Sequence, residues 1–130
     1  MTQPTEDLIQ AFNAAFGRGD LGVMQQFVAH DIVWHLAGTG PLAGEYQGLA
    51  QVTGMFGKIH ELSGGTVQHE LHDVLASNDH VVVLATLRAQ RAGKQLQDNI
   101  VHVIHGDGSG KAAEVWTHTS DPAAAAKFWS

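Results

Sequence analysis

The chain contains no cysteine, which excludes disulfide scaffolds, thiolate nucleophiles and thiolate-bound zinc. Basic residues are scarce: seven Lys and Arg stand against thirteen Asp and Glu, a formal charge of −6. That balance repels phosphate backbones and anionic lipid and argues against nucleic-acid and membrane-surface roles. No apolar run approaches the ~20 residues of a membrane span. The opening MTQPTEDLIQ has neither the basic start nor the apolar run of a secretion signal, so a cytoplasmic chain is expected. No glycine run ends in Gly-Lys-Ser/Thr or forms a strand-to-helix Gly-x-Gly-x-x-Gly, and no compact metal-ligand spacing occurs. Neither a cofactor nor a metal is therefore expected.

What is present is a core. With 130 residues and 44% hydrophobic composition, the chain suits one domain over residues 1–130 that buries about two thirds of its surface. Nine histidines exceed the Lys and Arg total, so protonating all of them would carry the charge to +3 at most.

Pro4-Thr5 followed by Glu6 and Asp7 reads as a helix start, and Leu8, Phe12, Ala15 and Phe16 form one apolar stripe. Gly17 and Gly19 stop it, and Asp20 caps a second helix with Leu21, Met24 and Val28 on one face. Asp31–Ala37 is β-branched and aromatic, a first strand. Gly38–Gly44 reads as a loop, and Leu49, Val52, Phe56 and Ile59 return to helical spacing, closed by Ser63-Gly64-Gly65. From Thr66 the period becomes two: 66–76, 80–90, 95–105 and 111–119 are strands joined by short hairpin connections. Residues 123–129 form a terminal helix. The order α-α-β-α-β-β-β-β implies an α+β fold: a cone-shaped, curved, mixed or antiparallel sheet whose concave face, covered by three helices, encloses a pocket. Its convex face, if apolar, calls for a second subunit.

Phe12-Asn-Ala-Ala-Phe-Gly-Arg-Gly-Asp20, Phe27–His35, Gly40–Gly48 and Asp107–Lys111 with Glu114-Val-Trp116 carry, in order and spacing, a resemblance to the nuclear transport factor 2-like superfamily. They are most similar to its ketosteroid isomerase and SnoaL-like polyketide cyclase branch. The resemblance implies a deep apolar pocket, a homodimer formed through the sheet, and cofactor-independent isomerase or cyclase chemistry by proton transfer on a small apolar carbonyl compound. A ligand-binding or assembly module without turnover, and an epoxide-type hydrolase, are the alternatives. By the same resemblance, His102 falls where ketosteroid isomerases keep a protonated aspartic acid that donates to an oxyanion. Phe12 falls where they place a tyrosine, and Leu36 where they place the general-base aspartate. Neither residue can do that chemistry.

The candidate catalytic residues are His102, His35 and Asp98. Asp98 and His102 lie four apart in one strand and share a face with Ile100 and Ile104. His35, at the end of the first strand before a glycine loop, has the imidazole of a general base. Strand parity sets it opposite Trp34 and Leu36, so either set can face inward. His69-x-x-His72 points its rings to opposite sides of a strand and does not chelate. Phe12, Phe16, Trp34, Tyr46, Phe56, His69 and Ile100 are candidate ligand-binding residues, with the Tyr46 hydroxyl a substitute for the missing oxyanion tyrosine. The spacing relative to ketosteroid isomerases turns Val115 and Thr117 inward and sends Trp116 and His118 to a dimer interface; the reverse orientation stays open.

Overall fold

A computed structural model describes residues 6–78 and 80–130. The Pro4–Thr5 helix start and the side chain of Leu8 lie outside the described residues. Helix α1 (Glu6–Arg18) runs through Gly17 and ends at Gly19, whose φ of +68° lets Asp20 N–H reach back to the Ala15 carbonyl at 2.9 Å. Its inward face carries Phe12, Ala15 and Phe16.

Asp20 caps α2 (Leu21–Met24), accepting from the Val23 amide at 3.2 Å. The second helix is shorter than its apolar spacing predicts: a 3₁₀ turn at Gln25–Phe27 follows, and Val28 already belongs to strand β1 (Val28–Leu36). The β-branched Val28, Ile32 and Val33 prefer the extended backbone and override the helical spacing.

Strand β2 (Gly44–Gln47) lies where the sequence reads as the end of a loop and the approach to a helix. Four residues, three of them exposed, offer too short an alternation to detect. Helix α3 (Gly48–Leu62), strands β3 (Gln68–Ala76), β4 (Val81–Arg91), β5 (Lys94–Gly106) and β6 (Ala112–Thr119), and helix α4 (Pro122–Trp129) follow within a few residues of expectation. The β4–β5 hairpin turns on Ala92 and Gly93, with φ of 49° and 78°, the left-handed pair that a two-residue turn requires.

The sheet order is β2-β1-β6-β5-β4-β3, antiparallel except for the parallel β1–β6 pair. It bends about the helices so that Trp34 near one edge and His69 on the edge strand β3 wall the same interior. The core between sheet and helices holds Ala15, Met24, Ile32, Val52, Met55, Phe56, Val81, Val83, Val115 and Phe128. This is the expected α+β class, with six strands rather than five and the terminal helix α4 as a fourth helix. Among the described residues no helix is long and apolar enough to cross a membrane.

Candidate functional site

The concave face encloses a cavity of about 160 Å³. Phe12, Phe16, Trp34, Met55, Phe56, Leu71, Val83, Leu87, Ile100, Ile104 and Val115 supply its apolar wall. It reaches the surface beside exposed Thr39 and Pro41 and the helix α4 residues Ala125, Ala126 and Trp129. Gly40 (φ +103°) holds that loop against α4: a Cβ there would stand 2.8 Å from Ala126 Cα. Behind Phe12 and Trp34 lies a second chamber of about 40 Å³, lined also by Ile9, Phe27, Val28, Ile104, Gly110, Ala112 and Val115. The stacked rings of Phe12 and Trp34, with centroids 6.4 Å apart, border both spaces.

A chain of hydrogen bonds crosses this apolar interior. His69 Nδ1 is 2.6 Å from Asn13 Oδ1, His69 Nε2 is 2.9 Å from His102 Nε2, and His102 Nδ1 is 2.7 Å from Thr117 Oγ1. Trp34 Nε1–H donates to the same Thr117 oxygen at 2.9 Å. The ring centroids of the two histidines are 5.1 Å apart, so the Nε2 atoms face each other nearly head-on. Burial disfavours the charged form of both rings. It lowers the His69 pKa from 6.5 to about 4 and, with the His69 charge as a smaller cause, that of His102 to about 3. Both are neutral imidazoles at neutral pH.

Strand parity settles the open alternatives. Trp34 and Leu36 line the cavity, and His35 lies on the outer face. There its Nε2 is 2.7 Å from Glu114, its Nδ1 is 3.5 Å from Glu45, and its ring stacks on Trp116 at 5.5 Å. His35 therefore does not reach the cavity as a base, because the pleat turns it away from the side that Trp34 and Leu36 occupy.

Val115, Thr117 and Thr119 face the cavity, leaving Trp116 and exposed His118 on the outer side. Tyr46 is also displaced from its expected role: its hydroxyl donates to the Leu42 carbonyl at 2.6 Å, and its ring packs on the core without lining the cavity. Phe12, Phe16, Trp34, Phe56, His69 and Ile100 all line it, as does Leu36.

Asp98 lines the cavity and is 5% exposed, but its carboxylate is occupied. Thr119 Oγ1 donates to one oxygen, and the amide and hydroxyl of Ser120 donate to the other at 3.2 and 2.8 Å. It pins the turn leading into α4, and among the described residues its hydrogen-bond partners are Thr119 and Ser120 rather than a histidine.

Asn13 and Thr117 are the polar residues that sequence reasoning did not assign a role. The cross-strand pairing of His102 with Thr117 in the β5–β6 hairpin carried that signal for Thr117. For Asn13, next to Phe12 and one helical turn before Phe16 on α1, sequence spacing carried none.

The sequence profile of the SnoaL-like domain matches residues 9–115. The uncharacterised protein Rv0034 of Mycobacterium tuberculosis is 34% identical over 125 residues, covering 95% of each chain. Among solved structures, Bal32a from a soil-derived mobile gene cassette superposes with a TM-score of 0.89 at 28% identity, over 94% of this chain and 93% of its own. A protein of unknown function with a cystatin-like fold from Xanthomonas campestris gives 0.88 at 28% identity over 98% of both. IdmH, a putative polyketide cyclase from Streptomyces antibioticus, shares the fold at 0.72 and 18% identity, over 88% of this chain and 90% of its own.

Proposed function

The chain belongs to the SnoaL-like domain family, and on that premise we propose that it is a cofactor-independent isomerase- or cyclase-type enzyme. It moves a proton next to the carbonyl group of a small uncharged ring compound. The observation that carries this reading is the 2.9 Å contact between two neutral histidines inside an apolar cavity.

A cavity of about 150 Å³ lined by Leu, Ile and Phe is enough for benzene, so the 160 Å³ here suits one ring. Among the described residues no Lys or Arg lines it and the two histidines are neutral, so an anionic ligand would find no counter-ion.

When a carbonyl oxygen enters, it accepts from His102 Nε2–H in place of His69. His69 Nε2, released, takes a proton from the carbon next to the carbonyl, and the C–H electron pair moves into the enolate. His102 and the new His69 imidazolium stabilise the oxyanion in surroundings of low polarity, where such contacts are strongest. Return of the proton from His69 to a different carbon completes an isomerisation; attack of the enolate carbon on a second carbonyl, whose oxygen takes the proton back from His69 as its π bond opens, closes a ring.

The test is proton exchange. Cyclohexanone in deuterium oxide should lose its α-protons at least about 100-fold faster with the wild-type chain than with His69→Ala or His102→Ala, the scale of general acid–base catalysis. If the ketone binds but exchanges no faster with the wild type, the protein is a binding module and the enzymatic reading fails.

The outer face supports a second element of the proposal, a homodimer. One cross-strand row runs Leu75, Val82, Val103, Trp116, His35 and Glu45, with Leu75 53% exposed. It ends at the two acidic partners of His35, so an apolar strip is flanked by a mixed acid–imidazole margin that a second copy can meet. Light scattering should give a mass near twice 13.9 kDa, and Trp116→Lys should return it to that of one chain.

A further inference from the structure

The two histidines of the cavity could share one proton in either direction, and only one direction gives the donor and the base in the roles above. We infer that Asn13 and Thr117 are positioning residues that fix opposite tautomers on the pair, Nδ1–H on His69 and Nε2–H on His102. This inference rests on the proposed proton-transfer reading and explains what makes it run one way.

The direction is set from Trp34. An indole nitrogen only donates, so Trp34 Nε1–H fills an acceptor site of Thr117 Oγ1. The Thr117 hydroxyl then has one proton to place, and His102 Nδ1 at 2.7 Å is the acceptor beside it. A proton on Nδ1 instead would leave the hydroxyl hydrogen of Thr117 without this partner in a water-poor interior, a costly loss. His102 therefore carries its hydrogen on Nε2 and donates to His69 Nε2. His69, neutral and accepting at Nε2, holds its own hydrogen on Nδ1, where Asn13 Oδ1 accepts at 2.6 Å. The Thr117 end sets the direction, and Asn13 on helix α1, with its carbonyl oxygen turned to His69 Nδ1, accepts the hydrogen which that direction places there.

Free histidine favours the Nε2–H form, so the Nδ1–H form on His69 is a specific signature. Long-range proton–nitrogen correlation spectra of ¹⁵N-histidine-labelled protein at pH 7, without ligand, read each ring directly. The expected pattern is a protonated Nδ1 on His69 and a protonated Nε2 on His102. Asn13→Asp keeps an acceptor at that point and should keep the pattern while raising the His69 pKa. Asn13→Leu together with Thr117→Val removes the fixing groups at both ends and should leave His69 a mixture of the Nδ1–H and Nε2–H forms.

A wild-type His69 in the Nε2–H form overturns the inference, and so does an Asn13→Leu/Thr117→Val variant whose His69 stays wholly Nδ1–H. If that double variant fails to fold, the inference stands or falls on the wild-type and Asn13→Asp spectra. Because these spectra involve no substrate, absence of ketone exchange with the tautomer pattern intact defeats the proposed reaction and leaves the assignment of the pair standing.

Discussion

His69 Nε2 and His102 Nε2 meet at 2.9 Å although strand β4 runs between their two strands. On β4, His69 pairs with Leu87 and His102 with Val83. Between them on β4 is Ala85, buried and of the same parity as Val83 and Leu87, which line the cavity. Ala85→Leu should therefore drive the rings apart. Overfilling a packed site costs about 1–3 kcal/mol, and the ketone exchange rate should fall by an order of magnitude beyond what that destabilisation explains. Urea unfolding and exchange measured on one preparation separate the two effects; unchanged exchange would mean that the contact is not needed.

Stability should depend on pH through the same pair. The folded pKa values, about 4 and about 3, lie below the ordinary 6.5, so below pH 6.5 the unfolded chain binds protons that the fold refuses. Stability contributed by the pair is complete above pH 6.5 and falls as pH drops from there toward 4. Two such groups remove about 2–3 kcal/mol between pH 7 and pH 5.5. Urea midpoints across this range should show the slope, and the His69→Gln/His102→Gln double variant should lose that part of it.

Phe12 separates the 160 Å³ cavity from the 40 Å³ chamber behind it. Phe12→Ala should join them, at about 3 kcal/mol of stability, and shift binding toward longer ligands. Calorimetry should show butylbenzene gaining on benzene relative to the wild type. No change in that ratio would mean that the ring does not set the depth of the site.

Gly40→Ala should be strongly adverse despite the small size of the change. It places a side chain at φ +103° and drives Cβ into the backbone of α4 at 2.8 Å, a strain of order 1–3 kcal/mol or more. A matching change at Gly17, which has open space in place of a neighbour, is the control. Equal melting temperatures for the two variants would contradict the packing described for the cavity rim.

The sheet and helices were legible because their signals are local. Alternation from residue 66 onward marks four strands, and the glycines after Arg18 and Leu62 mark helix ends through backbone freedom that other residues lack. The early end of the second helix at Met24 and strand β2 were not legible, since so few residues hold no full period and tertiary pairing decides them. Much of the cavity wall could be read once Asp98, Ile100, His102 and Ile104 were set on one face. The direction of His35 could not, because parity alone permits two faces and only the inward turn of Trp34 chooses. The meeting of His69 with His102 depends on sheet curvature and on Ala85, neither of which leaves a pattern in the linear spacing. Nor did the spacing reveal that Asp98 spends its carboxylate on the Thr119–Ser120 turn.

The parallel seam between β1 and β6 has a consequence for how the molecule comes into being. Residues 33–36 find their partners at 114–117, and the Trp34–Thr117 bond spans 83 positions. Neighbouring hairpins from β3 to β6 form over short loops, whereas this seam must first close a long one, the slowest kind of contact to establish. On the ribosome, a nascent chain can build most of its meander while Trp34 still waits for Thr117. The chamber thus acquires its last wall only when β6 has settled beside β1, so the cavity arrives with this seam rather than growing strand by strand.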